Sequence, residues 1–215
     1  MSRFFKISRS FPESEAVFPD FFSNRRIILS FSRSSEQWKG GSCMNIFVLD
    51  FCPDRSAKFL CDAHVVKMIL ESAQLLSTHD ELHGRVRKFR MTHRNHPCRK
   101  ALENPANFRW LCSHLRSLLE EYSFRFGKIH AVRDLFLEYW NHCENVYLPE
   151  EESLLTLPRC MPECLSSDLP GFAGTVKSYR NYYVFKMKTL PRFHYTGRAF
   201  PEWLEPFRRN LISPI

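Results

Sequence analysis

The stretch LCDAHVVKMILESAQLL, residues 60–76, has the apolar spacing of an amphipathic helix and decides the fold class. Its expected core face carries Val65, Val66, Ile69, Leu70, Ala73 and Leu76. The opposite face carries His64, Lys67, Glu71 and Gln74. His64 and Glu71 are seven residues apart, so two turns bring them nearly into line, and Lys67 lies one turn from each. The helix therefore predicts a base, a carboxylate and an ammonium on one surface.

The composition is typical of a globular protein. The chain has 215 residues, 44% of them hydrophobic and 14% aromatic, which is enough to bury a full core. No run approaches the roughly 18 to 20 apolar residues of a membrane span. The net charge of +8 favours a polyanionic partner, although an excess of this size also occurs in proteins that do not bind nucleic acid. The eight cysteines form no CxxC pair, which predicts buried reduced thiols in a cytoplasmic protein.

Residues 1–43 differ in pattern from the rest of the chain. They contain ten Ser and seven Phe with no steady helical or strand period. Lys39-Gly40-Gly41 can be encoded by a strong bacterial ribosome-binding sequence, two codons before Met44. We therefore expect residues 1–43 to be a translated leader, with a disordered tail as the alternative, and residues 44–215 to form the domain. This hypothesis also predicts a bacterial or phage gene, and the cytoplasm of the bacterial host as the compartment.

The pattern after residue 43 predicts a mainly α protein, a single compact helical domain with long loops. Met44–Phe51 (MNIFVLDF) is interpreted either as one short N-terminal strand or as a segment tucked into the core. Asn104-Pro105 is typical of a helix start. Helices are expected over residues 55–60, 60–76, 105–126 and 129–145 and from Thr175, a long loop or lid over 148–174, and a turn over 201–204.

The densest positive charge lies between residues 77 and 95, which we expect to form an exposed loop. Candidate phosphate-binding residues here are Arg85, Arg87, Lys88, Arg90, His93 and Arg94, with His96 directly after. The last predicted helix adds Lys177 and Arg180, interleaved with tyrosines that can stack on bases. The alternatives are a solvated connection and tyrosines that pack in the core.

Several kinds of chemistry are not expected. Gly occurs only seven times and never as a phosphate-binding loop, which argues against nucleotide cofactors, and no cofactor is predicted. His93, His96 and Cys98 lie close together in sequence, with Cys160 and Cys164 further on. Because four ligands at recognised spacing are absent, the sequence predicts no metal site.

The motif Asp62-x-His64-x6-Glu71 resembles the helix of the small, helical, phage-type pyrimidine-dimer DNA glycosylase/lyases. The pattern HP…NFRWLCSHLRSLLEEYSFRFGK over residues 96–128 is similar to the second apolar helix of that family. The chain from Met44 also resembles a group of phage proteins that open with Met-Asn-Ile-Phe-x-Leu-Asp.

The resemblance implies that the protein acts on DNA. In that family the α-amine left after removal of the initiator Met attacks the sugar C1′ of a flipped nucleotide, and the resulting imine then eliminates. The resemblance assigns stabilisation of the cationic sugar and proton transfer to Glu71, and phosphate binding or support of Glu71 to His64. Asn45, as a second residue, disfavours Met removal, so the candidate nucleophiles are a retained Met44 amine and Lys67.

Two other hypotheses remain open at this point. The first is a non-enzymatic phage DNA-binding or accessory protein that only holds phosphates. The second is a purely structural role, in which His64 and Glu71 form a buried polar pair between helices. The sequence does not indicate an oligomeric state.

Overall fold

Seven α-helices make up the part of the chain that this computed structural model describes, residues 44–85, 89–145, 155 and 157–212. They are α1 (Pro53–Lys58), α2 (Asp62–Leu82), α3 (Pro97–Lys100), α4 (Pro105–Phe126), α5 (Val132–Asn145), α6 (Gly171–Thr189) and α7 (Glu205–Ile212). No strand occurs within these ranges, so the mainly α prediction is confirmed. The expected leader falls outside the described residues and stays a prediction.

α4 is the central helix and packs against α1, α2 and α5. Its start follows the sequence prediction, because the side chain of Asn104 accepts hydrogen bonds from the backbone N–H groups of Ala106 and Asn107, at 2.8 and 3.4 Å. Its end is set by Gly127, whose φ of 62° is the left-handed conformation that ends many helices. The predicted bounds of this helix are confirmed.

α2 extends further than predicted. It continues to Leu82, and Ser77, Thr78, His79 and Asp80 are buried, so the expectation of an exposed loop from residue 77 is wrong for this stretch. The hydroxyl of Ser77 accepts a 2.9 Å hydrogen bond from the N–H of Phe89. The polar side chain of Ser77, near the end of α2, therefore binds the backbone of the segment that follows the helix. From sequence, such polar residues are expected to be exposed to solvent.

The buried face of α2 is also rotated from the predicted one. Val66 and Leu70 are 44% and 43% exposed, whereas Met68 and Ser72 are almost fully buried. The predicted core positions Val65, Ile69, Ala73 and Leu76 are correct. Two apolar side chains therefore lie on the open face of the helix, and the polar Ser72 packs inside.

The segment Met44–Asp50 is buried and irregular, so the interpretation as a segment tucked into the core is confirmed and the strand is wrong. Ser56 of α1 holds it: its hydroxyl accepts a 3.0 Å hydrogen bond from the N–H of Leu49 and donates to the carbonyl of Phe47 at 3.1 Å. The backbone groups that a strand would pair with a neighbour are thus partly satisfied by a side chain.

The later elements differ in their bounds. α6 begins at Gly171, four residues before the predicted start. α5 begins at Val132, three residues after the predicted start, and Ile129 is 70% exposed. The predicted turn at residues 201–204 contains the 3-10 turn Glu202–Leu204, and α7 follows it without having been predicted. Within the expected loop, residues 157–170 are irregular apart from a 3-10 turn at Glu163–Leu165.

A partly buried ion network holds the start of α2. Asp62 accepts hydrogen bonds from the guanidinium of Arg125 at 3.1 Å and from the hydroxyl of Thr196 at 2.6 Å. Arg125, whose side chain is fully buried, also pairs with Glu121 at 3.0 Å, and Glu121 binds Arg198. Asp62, the first residue of the sequence motif, therefore joins α2 to α4 and to the chain near residue 196.

The structure also bears on the predictions about membrane spans and about the cysteines. None of the described helices is long and apolar enough to cross a membrane. Cys112 is disulfide-bonded, so the prediction of eight reduced thiols is wrong at this position. No disulfide is formed by Cys52, Cys61, Cys98, Cys160 or Cys164.

Candidate functional site

Glu71 lies near the middle of α2, at the edge of the buried N-terminal segment. Its side chain is 13% exposed. Oε1 is 3.2 Å from the Nζ of Lys67, and Oε2 accepts a hydrogen bond of 3.4 Å from the backbone N–H of Asn45. The carboxylate of Glu71 therefore contacts the backbone nitrogen of Asn45, which lies 26 residues earlier in the sequence.

The side chain of Asn45 holds that backbone nitrogen in place. Its Oδ1 accepts a 2.6 Å hydrogen bond from the hydroxyl of Tyr179, and its Nδ2 donates to the carbonyl of Cys160 at 2.7 Å. Oδ1 also accepts from the N–H of Ile46 at 2.9 Å. Asn45 is 3% exposed. Because an amide fixed at both ends cannot rotate, the orientation of residue 45 towards Glu71 is set by α6 and by the loop around residue 160.

His64 is buried, with 5% of its surface exposed, so the prediction that it shares a surface with Lys67 and Glu71 is wrong. Its ring stacks on Phe47 at 4.4 Å between centroids. Its Nδ1 is 3.0 Å from the hydroxyl of Tyr183, which accepts a 2.6 Å hydrogen bond from the N–H of Cys61. The tyrosine hydrogen is therefore available to His64, and the imidazole is the acceptor of this pair.

Burial also sets the charge of His64. Loss of solvent, followed by the positive charges of Lys67 and Lys186, lowers the pKa of His64 from 6.5 to about 3. The ring is therefore neutral near pH 7 and packs beneath the site, which does not suit the predicted contact with a phosphate. Support of the surroundings of Glu71 stays a prediction.

The two predicted amine donors lie in different settings. Lys67 is on the open face of α2, 43% of its side chain exposed and paired with Glu71. Met44 is 2% exposed and directly precedes Asn45. An amine at the position of the Asn45 nitrogen is thus in contact with Glu71, and an amine at Met44 is one residue further away.

Several predicted DNA-binding residues lie on the surface. Those with exposed positions are Arg85, Arg90, His93, Arg94 and Lys177, and His96 is half-buried. Arg85 forms an ion pair with Asp80 at 2.7 Å. Arg87 and Lys88 lie outside the described residues. Their binding of DNA stays a prediction for the whole group.

Arg180 serves the fold. Its Nε donates a 2.8 Å hydrogen bond to the carbonyl of Leu49, its guanidinium is 3.4 Å from the carboxylate of Asp50, and it stacks over Trp203 at 5.0 Å. These contacts attach α6 to the N-terminal segment. The interleaved tyrosines are buried as well, so the packing alternative is confirmed for Tyr179, Tyr182 and Tyr183.

Sequence reasoning missed the residues that build the site around Glu71. In the sequence analysis Asn45 is only an obstacle to Met removal, and base stacking and core packing are both open for Tyr179 and Tyr183. No spacing pattern connects them, because they are brought together by tertiary contacts between the N-terminal segment, α2 and α6. The one sequence signal was the polar Asn45 within the apolar run MNIFVLDF.

Two clusters of metal-ligand residue types also form. His96, Cys98 and Cys160 place their ligand atoms within 4.8 Å of one another, and so do His79, His83 and Glu103. The first cluster contains three of the five residues that were weighed as a metal site from sequence.

Comparison with known proteins gives one match. Residues 44–133 match the model of the family described as pyrimidine dimer DNA glycosylase. The match includes the N-terminal segment, α2 with Glu71, and α4. No curated protein matches the chain, and no solved structure matches it. Over residues 44–133 the chain is therefore similar to the pyrimidine dimer DNA glycosylase family.

Proposed function

We propose that the protein is a DNA glycosylase with AP-lyase activity towards damaged pyrimidines, in which an α-amine at residue 45 is the nucleophile and Glu71 is the catalytic carboxylate. The observation that carries the proposal is the 3.4 Å contact between Oε2 of Glu71 and the backbone nitrogen of Asn45. The family match supports DNA as the substrate and begins at residue 44, beside this nitrogen.

The chemistry requires a free amine. In a peptide bond the lone pair of nitrogen is delocalised and does not attack carbon. If the chain begins at Asn45, the same nitrogen becomes an α-amine whose ordinary pKa, near 8, leaves a neutral fraction at about pH 7. The proposal therefore includes removal of residues 1–44. It extends the leader hypothesis by one residue and requires Met44 to be removed, although Asn45 is not the small second residue that Met removal normally needs.

Glu71 then has two tasks. The amine attacks the sugar C1′, the damaged base leaves with the bonding electrons, and the positive charge that develops on the sugar is next to the carboxylate. Glu71 can subsequently accept the proton that the amine loses as the imine forms. Elimination of the 3′ phosphate breaks the strand. Lys67 is paired with Glu71 and lies on the open face of α2, where it is placed to contact a phosphate.

The experiment compares three forms of the protein: the full chain, a form starting at Met44, and a form starting at Asn45. Each is incubated with DNA bearing an abasic site or a thymine dimer in the presence of borohydride, which reduces an imine to a permanent crosslink. We expect the crosslink from the form that starts at Asn45 and not from the full chain. An equal crosslink from the full chain would show that an internal amine such as Lys67 reacts, and would contradict the proposal.

Glu71→Gln tests the carboxylate. This change should abolish strand cleavage, because glutamine neither stabilises the cationic sugar nor accepts the proton, and it should leave DNA binding by fluorescence anisotropy intact. Glu120→Gln is the matched control, since Glu120 is an exposed carboxylate on α4 that pairs with Arg116 at 3.0 Å. Unaltered cleavage by Glu71→Gln would refute its role.

The exposed arginines near residue 90 support one alternative, a DNA-binding protein without catalysis. Salt-sensitive binding by the form starting at Asn45, with neither crosslink nor cleavage on either substrate, is the result that favours it.

A further inference from the structure

Three ligand-type side chains meet beside the candidate site. His96 and Cys98 lie on either side of Pro97, at the start of α3, and Cys160 comes from the loop before α6. The two sulfur atoms are 3.5 Å apart, and all three ligand atoms lie within 4.8 Å of one another. Residues separated by 62 positions in sequence thus present two thiols and an imidazole to one point.

The spacing fits a tetrahedral ion. With metal–sulfur distances of about 2.3 Å, two thiolates of a tetrahedral zinc site lie roughly 3.8 Å apart. The observed separation of 3.5 Å between the sulfurs is close to this value. Only a small outward shift of the sulfurs is needed to admit the ion.

The imidazole is also in a suitable form. His96 Nδ1 accepts a 3.2 Å hydrogen bond from the N–H of Cys98, so this nitrogen is unprotonated and its lone pair points towards Cys98. A metal ion would take that lone pair, and the N–H of Cys98 would become available to a thiolate sulfur. The ring of His93 packs edge-on against His96 at 5.8 Å and restricts its orientation.

We propose that His96, Cys98 and Cys160 bind a zinc-type divalent ion through one imidazole nitrogen and two thiolates. Thiolates and imidazole together select Zn²⁺ over the hard cations Mg²⁺ and Ca²⁺. Binding releases the two thiol protons to solvent. Three protein ligands leave the fourth position to water, and the half-exposed His96 and Cys160 give the ion access while Cys98 is buried.

The ion would also affect the proposed active site, because Cys160 is hydrogen-bonded to Asn45. The carbonyl of Cys160 accepts the 2.7 Å hydrogen bond from Asn45 Nδ2, and the N–H of Cys160 donates to the hydroxyl of Tyr179 at 3.3 Å. A metal that fixes Cys160 to the start of α3 also fixes the partners of Asn45, and so the contact of residue 45 with Glu71. The ion would hold the site in shape without touching DNA. Metal binding itself does not depend on the protein being a glycosylase.

The test uses the full chain, freed of metal and kept reduced with a phosphine, and titrates it with Co²⁺. We expect saturation at one equivalent, with a thiolate-to-cobalt charge-transfer band and the visible bands of a tetrahedral ion, and displacement of both by Zn²⁺. X-ray absorption of the zinc form should show two sulfur neighbours and at least one nitrogen neighbour.

Variants assign the ligands. Cys160→Ser should weaken the apparent zinc affinity by more than the roughly 10- to 100-fold that changes outside the ligand set cost. Cys164→Ser is the matched control, because Cys164 is an exposed free thiol four residues further along the same loop and is outside the cluster. It should leave the affinity unchanged, and circular dichroism checks that both variants are folded.

Three results would overturn the proposal. One is a folded, reduced wild-type chain that gives no thiolate band and retains no zinc. Another is an equal loss of affinity in Cys164→Ser and Cys160→Ser. The third is peptide mapping that finds Cys98 and Cys160 joined as a disulfide that persists in the phosphine. Because these measurements use no DNA, they succeed or fail independently of the glycosylase tests.

Discussion

Replacing His64 with glutamine should remove a defined part of the acid sensitivity of the protein. The unfolded chain binds a proton at His64 near pH 6.5, whereas burial lowers the pKa of the folded form to about 3. Between these values the unfolded state holds more protons than the folded state, so the free energy of unfolding falls as the pH falls. Stability associated with the neutral ring is complete above pH 6.5 and is lost through this window.

The size of the effect follows from linkage. Lowering the pH from about 7 to about 5 should reduce the free energy of unfolding by about 2 kcal/mol through His64 alone. The value changes little if the folded pKa is one unit higher, because pH 5 is still above it. His79 and His114, whose pKa values burial lowers to about 4, add similar amounts that are common to wild type and variant.

Urea unfolding followed by circular dichroism at several pH values measures the difference directly. The gap in free energy between wild type and His64→Gln should shrink by about 2 kcal/mol from about pH 7 to about pH 5. Ile69→Val on the same helix is the control: it removes a buried methyl at a cost of about 0.5–1.5 kcal/mol but no titrating group, so its gap should be constant. A constant gap for His64→Gln would refute the assignment of a buried neutral ring.

Two further changes probe the contacts that build the site. Tyr179→Phe removes the 2.6 Å hydrogen bond to Asn45 and should lower the free energy of unfolding by about 1–3 kcal/mol. It should also lower kcat for strand cleavage more than it raises KM. An unchanged kcat would contradict the positioning of Asn45 by α6. Arg125→Met removes the fully buried cation that pairs with Asp62 and Glu121, so that Glu121 keeps only Arg198. The change should cost about 3–5 kcal/mol in urea unfolding, and a loss below about 1 kcal/mol would show that the network contributes little.

Much of the fold could be predicted because it depends on neighbours in sequence. The Asn104-Pro105 start and the Gly127 end of α4 are decided by side-chain capping and by backbone conformation, both within a few residues. The motif helix was found by its period and Glu71 by its place in the motif. The helical period did not predict the buried face of α2 correctly, because that face depends on long-range packing. Val66 and Leu70 are exposed, and His64 is buried.

The sequence by itself determined that the chain is helical, that α2 carries Glu71 with Lys67 one turn away, and which family the first half resembles, because spacing along one helix fixes which side chains share a face. Only the tertiary structure decided that the Asn45 nitrogen lies against Glu71, and that Cys160 meets His96 and Cys98. These contacts join segments 26 and 62 residues apart, and their geometry depends on how the helices pack, which no local pattern encodes.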